Sequence, residues 1–139
     1  MKAFRLTLPL LVLLSAAVSA HEVRPAYLRI ADESTQTNPN QFGFNWRLPV
    51  GAEVPLLLDV ALPAHCQDAG EALKWNEGGV EVTRWSSVCP GGLTGHDVEI
   101  AGLTAAVTDV LVRYERADGT TQVARLTPTI IKSARTNKR

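Results

Sequence analysis

The sequence predicts an all-β fold: a two-sheet β-sandwich of immunoglobulin-like or related topology, behind an N-terminal signal peptide helix. Three observations predict it. Seven short runs alternate apolar and polar residues at the period of two that marks a half-buried strand. Proline, glycine, asparagine and aspartate punctuate the gaps, in "NPNQ", "LPVG", "LPAH", "CPGG" and "ADGT". After residue 20 no window repeats apolar residues at helical spacing with caps at both ends.

Residues 1–20 form the signal peptide. Lys2 and Arg5 charge its start, an apolar run from Leu6 to Leu14 follows, and small residues close it in "SAAVSA". The run is shorter than the ~20 residues needed to cross a bilayer core. Val18 and Ala20 satisfy the peptidase and place the cut before His21; Ser15 and Ala17 would satisfy it three residues earlier. The expected location is periplasmic or secreted, after cleavage near Ala20. The mature chain holds no second long apolar run, so no transmembrane segment is expected in it.

The strands follow in order across a domain spanning 21–131. "AYLRIAD" (26–32) sets Ala26, Leu28 and Ile30 against Tyr27 and Arg29. "QFGFNWRLPV" (41–50) puts Phe42, Phe44, Trp46 and Leu48 on one face. "VPLLLDVAL" (54–62) groups Leu56, Leu58, Val60 and Leu62 opposite Leu57, Asp59 and Ala61. "GVEVTRWSSVC" (79–89), "HDVEIAGL" (96–103), "TDVLVRYER" (108–116) and "TQVARLTP" (121–128) complete the seven. Asp118-Gly119, between the last two, suits a tight hairpin turn. "TAAVTDVL" comes nearest to a helix, but its β-branched residues favour a strand. Residues 132–139 carry no core pattern and read as a basic, disordered tail.

Charge narrows the function. Beyond residue 20, 12 Lys and Arg face 14 Asp and Glu; without Lys132, Arg135, Lys138 and Arg139 the balance is 8 against 14. An acidic body argues against a nucleic-acid partner, which demands a basic face. Cys66 and Cys89, an even pair in an exported chain, read as a disulfide. Its closed loop of about 23 residues is worth about 3 kcal/mol in the chain-entropy view. A structural metal site would want further soft ligands at close spacing, and no C-x-x-C pair exists.

No complete catalytic motif stands in the chain: no G-x-S-x-G, H-E-x-x-H, phosphate loop or EF-hand loop. Asp109, Arg113 and Glu115 share one strand face and read as a solvated charge cluster. Asp59 is a lone carboxylate, and acid–base work needs a second positioned group. Catalytic residues are therefore expected to be absent, and no cofactor is required. The one metal reading starts from His21. Freed by cleavage, its amine and imidazole form a chelate for Cu or, more weakly, Ni, with His96 or His65 as second ligand. Nothing in the spacing brings these histidines together, and both also read as surface loop residues. Of the tryptophans, Trp46 belongs to a core face, while Trp75 in "LKWNEGG" reads as loop-borne, exposed and available for contact with a partner.

Several short motifs keep a recognisable order: His21-Glu22, Arg24-Pro25-Ala26, Trp85, Cys89-Pro90-Gly91-Gly92-Leu93, Gly95, Asp109, Leu111-Val112-Arg113, Asp118-Gly119 and Leu126-Thr127-Pro128. In this order the chain resembles the exported N-terminal β-domain of the HupE/UreJ-like bacterial membrane proteins, across nearly all of its length after the signal. The resemblance implies a periplasmic domain beside a multi-helix membrane part related to nickel supply for hydrogenase and urease. Here the sequence stops at Arg139, where linker and helices would begin, so no metal-conducting residue carries over. A stand-alone domain and a truncated gene product both fit. Three readings follow: a non-enzymatic domain docking on a membrane or protein partner of that type; a small copper- or nickel-binding protein using His21; and, weakest, a small secreted enzyme.

Overall fold

Alternating side chains shape the described residues into ten strands in two sheets. The computed structural model describes residues 24–51, 56–106, 108–128 and 133–135. The expected signal peptide and cleavage site, with His21, lie outside the described residues.

The larger sheet contains β1 (Ala26–Asp32), β2 (Gln41–Pro49), β4 (Gln67–Asp68), β5 (Leu73–Glu77), β6 (Val80–Val88), β8 (Val110–Glu115) and β9 (Thr121–Leu126). Its order is β4-β6-β2-β1-β8-β9, with β5 following β4 along the same edge of β6. All neighbours are antiparallel except β1 and β8, which run parallel with Leu28 beside Val112 and Ile30 beside Tyr114. The smaller sheet is β10-β7-β3, from β3 (Asp59–Ala61), β7 (Asp97–Ala101) and β10 (Ser133–Arg135). The two-sheet all-β expectation holds.

The strict alternation of β2 explains the core. Phe42, Phe44, Trp46 and Leu48 are buried, and β1 and β8 supply Leu28, Ile30, Val110, Val112 and Tyr114 to the same face. Val98 and Ile100 of β7, with Leu58, Leu93 and Leu103, join them in one apolar cluster. Burial holds the Tyr114 hydroxyl above the usual tyrosine range, so the ring stays neutral.

Differences from the sequence reading have local causes. Within the described residues of the 54–62 run, Asp59–Ala61 form the strand, where β7 offers partners. Its alternation persists outside the ladder: Leu58 is buried and Leu57 is 85% exposed. "TAAVTDVL" begins inside a single 3-10 turn, Leu103–Ala105, before β8 starts. The β8–β9 connection is a three-residue turn. Gly119 N–H donates to Arg116 O, Arg116 N–H donates to Thr120 O, and only Gly119 takes a positive φ, 84°. Asp118 serves through its carboxylate, accepting from the Thr120 N–H and hydroxyl. Trp75 lies on β5 rather than in a loop and is half-buried. Part of the tail is also ordered: Ser133–Arg135 pairs antiparallel with Asp97–Glu99, because β7 presents an open edge there. These three residues alternate too weakly to mark a strand in the sequence.

Candidate functional site

Two regions gather polar chemistry. The first is a pair of turns clamped by the disulfide. Cys66 and Cys89 are bonded, 23 residues apart, as expected. One turn leaves β3, with Cys66 N–H donating to Pro63 O across "PAHC". The other enters β7 through "CPGGLTGH". Gly92 N–H donates to Cys89 O, with Pro90 and then Gly91 at φ 81° between them, the residue order a type II turn demands. His96 N–H then donates to Leu93 O, with Gly95 at φ 82°. Leu93 is fully buried and pins this double turn to the core.

The clamp sets His65, next to Cys66, against His96, whose ring centroid lies 4.3 Å away at a tilt of 46°. His65 Nε2 lies 2.9 Å from Gly92 O. A carbonyl oxygen only accepts, so Nε2 carries the proton and donates. In the neutral ring that leaves Nδ1 as the lone-pair nitrogen. His65 is half-buried and His96 exposed. The structure thus joins two of the three histidines that the sequence singled out. No described cluster of three or more His, Cys, Asp or Glu residues is arranged to hold a metal ion.

The second region is the solvent face of the large sheet. Cross-strand register writes two rows over six strands. One runs Leu73–Arg84–Asn45–Arg29–Arg113–Val123. The next runs Trp75–Val82–Arg47–Tyr27–Leu111–Arg125. Five arginines therefore share this face. Glu115 holds two of them: Arg29 donates to it at 3.0 and 2.5 Å, and Arg113 at 3.0 Å. The Arg29 hydrogen bonds hold the Glu115 carboxyl below the usual glutamate range, against a smaller opposing effect of burial. Glu77 pairs with Arg47 at 3.0 Å, and Asp109 with Arg125. Arg84 has no carboxylate partner among the described residues and lies over the Trp75 ring, 5.6 Å from its centroid. Glu33 places its carboxylate over Gly43, where no Cβ intrudes. Leu73 and Val123, 62% and 68% exposed, end the first row.

Two clefts of about 440 and 550 Å³ lie where β3 faces β5 and β6, sharing Asp59, Thr83 and Trp85. Trp85 stacks on Phe44 at 5.0 Å and Trp46 is 4% exposed, so both rings serve packing first. The Asp59 carboxylate accepts from the Val60 N–H beside it. Lys74 and Glu81, at the second cleft, pair with each other at 2.9 Å.

Sequence reasoning found the disulfide and singled out the histidines and Trp75, but not the arginine face. Its members are scattered from Arg29 to Arg125, and only register brings them together. The signal was present as an arginine at the polar position of run after run. No family model and no curated protein matches the chain.

Proposed function

We propose that this chain is an exported, non-enzymatic docking domain that binds an acidic segment of a protein partner through the solvent face of its large sheet. The observation that carries this is the arginine excess on that face. Three carboxylates pair with four arginines, Glu33 lies over Gly43 on the same face, and Arg84, with no carboxylate partner among the described residues, rests on the Trp75 ring. Guanidinium groups in a row fit carboxylates bidentately, and Trp75 adds an amphipathic anchor beside them. This is a cationic strip on a domain whose body is acidic, so it orients a partner as well as attracting it. The disulfide supports export to an oxidising compartment. Among the described residues no helix is long and apolar enough to cross a membrane. The HupE/UreJ-like resemblance makes the extracytoplasmic loops of such a helical membrane protein the natural place for the acidic segment.

The test is binding of a fluorescent polyglutamate peptide, beside vesicles rich in phosphatidylglycerol. Expected is peptide binding that weakens with salt and falls severalfold in Arg84→Glu and Trp75→Ala, but not in Arg24→Glu, an exposed control outside the two rows. Vesicle binding without peptide binding would overturn the protein partner in favour of a lipid surface. Equal losses in Arg24→Glu and Arg84→Glu would overturn the face itself.

A further inference from the structure

We infer that His65 and His96 form a Cu(II) site, with His65 ligating through Nδ1. The first support is proximity. Two imidazoles on one ion, each at about 2.0–2.1 Å, have ligating nitrogens no more than roughly 4 Å apart. Ring centroids 4.3 Å apart place the two rings within that reach after small side-chain rotations. The second is orientation. Metal-ligating histidines characteristically donate their other ring N–H to a carbonyl or carboxylate, which fixes the tautomer and the ring plane. Gly92 O does this for His65 at 2.9 Å, leaving Nδ1 as the ligating atom. The third is rigidity. The disulfide and the glycine turns fix both backbones, and the His65–Gly92 bond adds to the same clamp.

The donor set selects the metal class. Imidazole suits Cu, Ni and Zn, and affinity at a given nitrogen site peaks at Cu(II). Both sulfurs are committed to the disulfide, so no thiolate of the described residues offers a soft site for Cu(I). Two protein nitrogens leave coordination positions for water or for a ligand from a partner. Binding weakens as pH falls, because protons compete for the imidazoles. The inference stands apart from the docking reading. It uses none of the arginines, and titration with the metal alone requires no partner, so each can fail without the other.

The test is titration of Cu(II) into chain beginning at His21 with its amino group acetylated, which removes the amine chelate of the mature end. Expected is one equivalent bound, with electron paramagnetic resonance showing nitrogen couplings from two imidazoles. His65→Ala and His96→Ala should each weaken binding at least about tenfold, the lower bound of what losing even a ligand's hydrogen-bonding partner costs. Zn(II) and Ni(II) should bind less tightly than Cu(II). His96→Ala leaves the Gly92 bond intact, so its loss reports ligation rather than damage to the turn; unchanged circular dichroism confirms the fold. Affinity unchanged in the His65→Ala/His96→Ala double variant, or no binding by the acetylated chain, would overturn the site.

Discussion

The two sheets of this sandwich are held together by different means. In the large sheet β2 and β6 pair over nine consecutive positions, and β1 is flanked on both sides along almost its whole length. In the small sheet β3 and β10 each meet β7 at three positions. Three ladder pairs cannot order a sheet against the chain entropy of the loops that bring them together. What steadies the β3–β7 pair lies at its ends. The Cys66–Cys89 bond joins the turn leaving β3 to the turn entering β7. At the other end Gly102, at φ 83°, lies directly against the Leu57 carbonyl. The large sheet is therefore secured by long ladders and burial along its strands, while the small sheet, with Val98 and Ile100 in the shared core, adds covalent and turn chemistry at its borders. The chemistry divides the same way. Ladder register spreads arginines over a flat face, while turn closure brings two histidines into contact.

The sharpest way to break the large sheet is through its core. Phe44 is 1% exposed and stacks on Trp85. Phe44→Ala should cost about 3–5 kcal/mol, from lost burial and the cavity left behind. Urea unfolding followed by tryptophan fluorescence would measure it. A cost under about 1 kcal/mol would mean that the large sheet is not stabilised by its inner face.

The matching experiment removes the cross-link where the β4–β6 pair Gln67–Val88 of the large sheet meets the turns that lead from β3 and into β7. Cys89→Ser, with Cys66→Ser to avoid a stray thiol, should lower stability by about 3 kcal/mol for a loop of this length. The loss should be local before it is global. Amides of β7 and of Cys89–His96 should exchange faster while those of β2 and β6 keep their protection. Uniform loss of protection would erase the proposed contrast between the sheets. The same variant should loosen the His65–His96 contact, since the disulfide is the covalent link between those two turns and the His65–Gly92 hydrogen bond would be left to hold them.

A finer probe acts at the opposite border. A methyl group at Gly102 would collide with the Leu57 carbonyl oxygen, on a backbone whose positive φ already disfavours a side chain. Gly102→Ala should therefore cost about 1–3 kcal/mol. Gly43→Ala makes the comparison, because the group it meets is the flexible carboxylate end of Glu33, which can swing into solvent. Its effect should be the smaller by thermal denaturation.

The same contrast decides what could be read from the sequence. Of the strands of the large sheet, β2 and β8 alternate without a break and β1, β6 and β9 in part, and these were legible because burial on one face writes a period of two. β4, β5 and β10 were not. β4 has two residues, and β5 is an edge strand with only Trp75 half-buried, so neither carries a burial pattern. β7 was legible from Val98 and Ile100 alone. At the site, the residues were legible but their meeting was not. His65 and His96 are 31 positions apart in sequence, and only the disulfide between neighbouring turns makes them neighbours. Once Cys66–Cys89 is accepted, His65 beside the first cysteine and the glycine turn beyond the second already point to one place. The arginine face needed register, which single runs do not supply.

The smallest expected effect belongs to the charged face, and its sign fixes its pH dependence. Arg29 holds Glu115 below the ordinary glutamate range, and Glu115 in turn holds Arg29 above the ordinary arginine range. A carboxyl depressed in the folded state binds its proton less readily there than in the unfolded chain. Its stabilisation is therefore complete above the ordinary glutamate range and is lost as pH falls through that range to the lowered folded value. The raised arginine contributes throughout neutral pH and would be lost only in strong alkali. The Arg29 side chain is 46% exposed, so solvent screens the pair and the contribution stays at or below about 1 kcal/mol. Glu115→Gln should lower stability by that small amount at pH 7, less at high salt, and the difference in urea unfolding should shrink as pH is lowered below the ordinary glutamate range. The substitution also frees two arginines, Arg29 and Arg113, that Glu115 had occupied. Polyglutamate binding should then strengthen while stability falls. If both fell together, the paired arginines would be structural supports of the sheet and not part of a docking surface.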